Sequence, residues 1–165
     1  MKKNQVIRMS SLILILLGFQ LAVFAQTKGY YITPIDLQDI NLSDSQKIEY
    51  QKLENNLEYR SLQFVEIGEL QNFIDNNELT FNIPGIEEKY VALAKESAYI
   101  SPINYMWNGD LIDHSGSIEI FCEDGSVFAY IVIENQVYEI FVFDEWYIFI
   151  EYNTEYISKQ RGLQE

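Results

Sequence analysis

The sequence predicts a mainly β protein: an antiparallel meander forming a sandwich or a partly open barrel, with one N-terminal helix. Three observations carry this. Between Trp107 and Tyr152 the chain is an almost unbroken run of apolar, β-branched and aromatic residues, the types that fit a pleated, half-buried surface. Turn pairs interrupt the run about every eight to ten positions. Asp124-Gly125 is the strongest of them, because a type I′ turn needs positive φ at both central residues. The segments between turns, about 117–123, 127–133, 136–143 and 146–152, have the lengths of antiparallel strands.

The N-terminus reads as an export signal. Lys2, Lys3 and Arg8 form a basic start, Leu12 to Phe24 an apolar stretch, and Ala22-Val23-Phe24-Ala25 gives small residues at −3 and −1 of a cut before Gln26. The apolar stretch is too short for a permanent span, which needs about 20 residues. No cysteine follows the cut, which argues against a bacterial lipoprotein anchor. The expected location is periplasmic or extracellular, with no membrane contact after cleavage.

Residues 26–58 are expected to be a lead followed by a helix. Ser43 is the N-cap and Gln46 completes a capping box. Ile48, Leu53 and Leu57 then recur at roughly helical spacing, which predicts a helix over about 44–57 with a thin apolar stripe.

Residues 59–153 form the β-rich domain. Alternation over Arg60 to Ile67 predicts a strand, with Leu62 and Phe64 on one face and Ser61, Gln63 and Val65 on the other. A short helical turn is expected from Gly68 to Asn77. Leu79 to Ile83 is a strand ended by Pro84-Gly85, and Tyr90 to Lys95 another. Gly109 to Gly116 reads as a connecting loop. Both faces of Val127 to Ile133 are apolar, so that strand is expected to be central and covered on both sides. Residues 154–165 read as a polar tail.

The chain has 25 acidic residues, 11 basic ones and a formal charge of −14. Three of the basic residues and none of the acidic ones precede Gln26, leaving eight against 25, a charge of −17. Such a chain repels nucleic acid and anionic lipid. The charge serves solubility, or else a docking surface for a cationic partner. Cys122 is the only cysteine, so no intrachain disulfide is possible; it shares a strand face with Ile118 and Ile120 and is expected to be buried.

No catalytic set is legible. His114 is the only histidine, and one imidazole among Asp110 and Asp113 does not make a zinc site without ligands from elsewhere. The chain lacks a nucleophile elbow, a phosphate-binding loop and a dinucleotide fingerprint. We therefore expect no enzyme, no catalytic or cofactor-binding residues and no bound metal.

One ordered set of residues carries a resemblance. Trp107, Gly109 and Leu111, then Ser117, Ile118 and Ile120, then Asp124-Gly125, then Ile131 and Ile133, then Val137, Tyr138 and Ile140 follow one another in a fixed order. Upstream, Leu79 to Ile83 is followed by Pro84-Gly85. Together these resemble the propeptide domain of reprolysin/adamalysin-type zinc metalloproteases in its bacterial secreted form. The resemblance covers about 60–153. It implies a β module that assists the folding of a protease and occludes its cleft. The chain departs from the family in having no HExxH anywhere, so the protease domain is not in it. Cys122 lies within a predicted strand, so a zinc-capping role is not carried over to it.

The expected function is an exported, non-catalytic, propeptide-like domain that binds, chaperones or inhibits a zinc metalloprotease. The alternatives are a stand-alone β-rich binding module of the bacterial cell envelope, or the N-terminal fragment of a truncated protease precursor. Phe141, Phe143, Trp146, Tyr147 and Phe149, with Asp144 and Glu145 between them, are the candidate partner-binding surface.

Overall fold

The computed structural model describes residues 32–68, 77–101 and 103–162. The export signal and the helical turn expected from Gly68 to Asn77 fall on residues 1–31 and 69–76, outside the described residues. Among the described residues nine strands form one sheet. They are β1 (Ile32–Pro34), β2 (Tyr59–Ile67), β3 (Glu78–Asn82), β4 (Lys89–Ser101), β5 (Asn104–Leu111), β6 (Gly116–Glu123), β7 (Ser126–Ile133), β8 (Gln136–Phe143) and β9 (Trp146–Tyr152). Two helices, α1 (Asp44–Glu54) and α2 (Thr154–Gly162), complete the described chain, with a short 3-10 turn at Leu37–Asp39.

The spatial order is β1-β2-β9-β8-β7-β6-β5-β4-β3, with every neighbouring pair antiparallel. The four C-terminal strands are consecutive hairpins, as their turn pairs predict. At Asp124-Gly125 both residues take positive φ, 50° and 82°. Glu134 and Asp144 open the next two reversals at φ 55° and 54°.

The sheet curls until its edges meet. Ile32 from β1 and Leu79 and Phe81 from β3 join one interior cluster with Trp107, Ile118, Ile120, Ile131, Ile140 and Phe149 from the strands between. Among the described residues the Asn82 side chain bridges the seam. Asn82 Nδ2 donates to the Ile32 carbonyl at 2.9 Å, and the Ile32 N–H donates to Asn82 Oδ1 at 3.0 Å. A carboxamide here does the work of a strand's backbone, and a nearly closed barrel results.

Trp107 is fully buried at the centre of this interior. Its ring lies over Gly109, two residues along β5. A Cβ on Gly109 would sit 2.5 Å from the ring and 2.5 Å from the Leu93 carbonyl oxygen. Glycine at that position is what admits the indole, an aromatic covering a strand glycine.

A second apolar layer lies outside the barrel. Tyr50 of α1, with Ile40 and Leu42 before it, packs on Phe64, Phe143, Ile148 and Ile150. The Tyr50 ring stacks on Phe64 at 5.0 Å between centroids and meets Phe143 edge-on at 6.5 Å. The capping box at Ser43 forms as expected: Ser43 Oγ accepts from the Gln46 N–H, and Gln46 Oε1 from the Ser43 N–H. The helix ends at Glu54, short of 57, because Asn55 and Asn56 turn their amides on the backbone and close it. Its buried residue is Tyr50, while Ile48 and Leu57 face solvent, so the expected stripe is displaced.

Three other expectations are corrected. Residues 154–165 are not a plain tail: Thr154–Gly162 is α2, capped by Asn153 Oδ1 accepting from the Tyr156 N–H and braced by Lys159–Glu155 at 2.7 Å. Gly109 to Leu111 belongs to β5, so the connecting loop is shorter than expected. β7 is central within the sheet but covered on one face only: Ile131 and Ile133 are buried, whereas Phe128 and Tyr130 are exposed on the other face.

Cys122 is buried on β6, its Sγ 3.6 Å from the Ile103 carbonyl. A thiol reagent is expected to label it slowly in the native protein and at once in denaturant. Fast native labelling, followed by Ellman-type absorbance, would contradict its burial.

Candidate functional site

The seven residues expected to form one partner surface are divided by the pleat. Tyr147 and Phe149 point into the barrel, Phe149 being fully buried against Tyr138 with ring centroids 5.5 Å apart. Phe141, Phe143 and Trp146 point outward, but beneath α1 and its lead; Phe143 is buried there, and Phe141 and Trp146 pack against the same layer. Only Asp144 and Glu145 are exposed, at the hairpin tip. Asp144 Oδ2 accepts from Gln46 Nε2 at 2.7 Å, tying that tip to α1. These residues are structural in the main, because the barrel interior covers one set and the layer beneath α1 covers the Phe141–Phe143 end of β8 and the outer side of β9.

The uncovered aromatic surface lies one step away, on the outer face of β5 to β8, and local alternation could have found it. The cross-strand register arranges it in three rows. Met106, Phe121 and Phe128 form the first, each directly opposite the next. Asn108, Glu119, Tyr130 and Glu139 form the second. Asp110, Ser117, Val132 and Val137 form the third. Phe121 is 44% exposed, Phe128 38% and Tyr130 44%, high values for large apolar rings in the middle of a sheet.

The strands of this face carry charge of one sign. From Asn104 to Tyr152 the sequence holds ten Asp or Glu and no Lys or Arg. Asp110, Glu119, Glu123 and Glu139 project from the outer face; of these, Asp110 is met by Lys95 at 3.3 Å. The Tyr152 hydroxyl donates to Glu139 and fixes that carboxylate beside Tyr130. Burial, then this hydrogen bond and the charge of Glu139, hold the Tyr152 phenol well above its ordinary pKa, so it stays a donor.

α2 stands at the border of the face. Between it and the sheet runs a groove of about 550 Å³, lined by Tyr130, Val137, Tyr152, Ile157 and Arg161 among others. Arg161 lines this groove together with Tyr130 of the second row and Val137 of the third.

Other polar groups are engaged in structure. His114 Nε2 lies 3.4 Å from Glu88 Oε1, and its ring meets Tyr90 at 5.0 Å. At one end of the barrel Glu151 accepts from Arg60 at 3.1 Å and from Ser61 at 3.2 Å. Tyr138 beside them is pushed up to about 12, by burial first and then by the Glu151 charge. Among the described residues no group of three or more His, Cys, Asp or Glu is placed to hold a metal ion. No described helix is long and apolar enough to cross a membrane.

Among the described residues, buried side chains from all the strands cluster in the barrel interior, and the outer face of β5 to β8 leaves Phe121, Phe128 and Tyr130 exposed for contact with another molecule. No known family, curated protein or solved structure matches the chain.

Proposed function

We propose that this protein is an exported, non-catalytic, propeptide-like module that binds the catalytic domain of a zinc metalloprotease. One observation carries the reading: the residues of the family resemblance are the ones this barrel is built on. Trp107 fills the interior and Gly109 makes room for it. Ile118, Ile120, Ile131, Ile133, Tyr138 and Ile140 line the interior around it, and Asp124-Gly125 makes the β6–β7 hairpin. An ordered set that specifies a scaffold supports a shared fold more strongly than surface identities would. The uncovered face supplies apolar area for contact.

A stand-alone binding module of the cell envelope is the second reading. It is favoured by the same acidic aromatic face, which does not depend on the resemblance.

The test is inhibition. The protein is expected to bind a zinc metalloprotease catalytic domain from the same organism at about micromolar concentration or below. It should slow peptidase activity and be displaced by a cleft-directed hydroxamate. No binding to any such domain in that range would overturn the protease reading and leave the envelope module.

A further inference from the structure

We infer that the outer face of β5 to β8 is a binding site for an extended, cationic polypeptide segment with the pattern apolar-x-cation-x-apolar. The argument begins with the second row. Tyr130 lies directly between Glu119 on β6 and Glu139 on β8. With strands about 4.8 Å apart, the two carboxylates flank the phenol ring across about 10 Å. A Lys ammonium or Arg guanidinium above that ring meets the negative face of a π system and an anion on either side. Glu139 is held in place by the Tyr152 hydroxyl, so part of the ordering is done before a ligand arrives.

The rows on either side are apolar where they matter. Phe121 and Phe128 lie on one side of Tyr130, Val132 and Val137 on the other. Each row is two residues from the next along the strand, about 7 Å. Alternate side chains of an extended segment have the same spacing. A segment lying along β7 therefore sets its central cation over Tyr130 and its two flanking apolar side chains over the Phe and Val rows.

Charge selects the occupant. The outward positions of β5 to β8 offer carboxylates and no basic group, and Arg161 of α2 borders them only at the Val137 side. That disfavours a second copy of this chain, which would bring the same carboxylates, and disfavours anionic surfaces. This site lies on the face that the proposed function gives to the protease, but its test is separate, since the segment is defined by its own side chains and can bind or fail without the protease.

The test uses acetylated, amidated Leu-Ser-Arg-Ser-Leu as probe, and the same peptide with Glu in place of Arg as control. Both are titrated into the isotope-labelled protein by NMR. Saturable shifts are expected at Glu119, Phe128, Tyr130 and Glu139 with the Arg peptide alone. The double variant Glu119→Gln/Glu139→Gln should bind at least about threefold more weakly, as expected for two partly screened charge pairs. A charge-matched variant, Asp44→Asn/Glu54→Gln on α1, should bind as the parent does; both variants keep the outer apolar rows and are checked for a native spectrum. Four results would overturn the site: no saturable shift up to about 10 mM peptide, shifts centred on α2, equal binding of the Glu peptide, or equal weakening by the α1 variant.

Discussion

Gly116→Ala is expected to destabilise the protein by about 4 kcal/mol, combining backbone strain with a steric clash. Gly116 opens β6 at φ +151°, and an added Cβ would lie 2.0 Å from the Val132 carbonyl oxygen. Both neighbours of the clash are backbone, held by the β6–β7 pairing from Gly116–Ile133 onward and by the Glu134 N–H bond to the Ser115 carbonyl at 2.6 Å. Nothing there can swing aside, so the strand end must move. Chemical denaturation with linear extrapolation measures the loss. A cost under about 1 kcal/mol would show that the start of β6 is not held as described.

Trp107→Ala is expected to cost about 3–5 kcal/mol, the range for removing a large buried aromatic. The ring is fully buried and lies over Gly109, so its loss leaves a void lined partly by backbone that cannot collapse inward. The same geometry makes a paired outcome informative. Gly109→Ala should also destabilise strongly in the parent, because its Cβ enters the space of the ring, and should cost less once Trp107 is already alanine. Simple additivity of the two would contradict direct contact between them.

Much of this fold is legible locally. Asp124-Gly125, the strand lengths after it and the Ser43–Gln46 capping box depend on neighbours in sequence, and the structure has them. The closure of the barrel does not: Asn82 and Ile32 are far apart in the chain, and nothing near either announces their pairing. The C-terminal helix carried a readable signal in Asn153 and the Glu155–Lys159 pair, obscured by a polar composition with no buried face.

The division of the candidate surface has a related reason. Alternation separates Tyr147 and Phe149 from Trp146 and Ile148, but does not say which set α1 covers. Tyr50 covers the outer one and the barrel closes on the other, so the aromatic-rich β8–β9 hairpin is consumed by structure. Both faces of β7 are apolar, a pattern that predicts cover over Phe128 and Tyr130 as well. Their face is left open because α1 packs farther round the barrel, over β2, β9 and the Phe143 end of β8.

The central claim is that this protein works by docking a protein partner on the outer face of β5 to β8. A photo-crosslinking phenylalanine analogue at Phe128, in the middle of that face, tests it against the same analogue at Ile48 on the exposed side of α1. With the zinc metalloprotease catalytic domain present, the analogue at Phe128 is expected to give a covalent adduct that salt weakens and the one at Ile48 to give none. An adduct from Ile48 but not from Phe128, under conditions where the two proteins bind, would contradict the account.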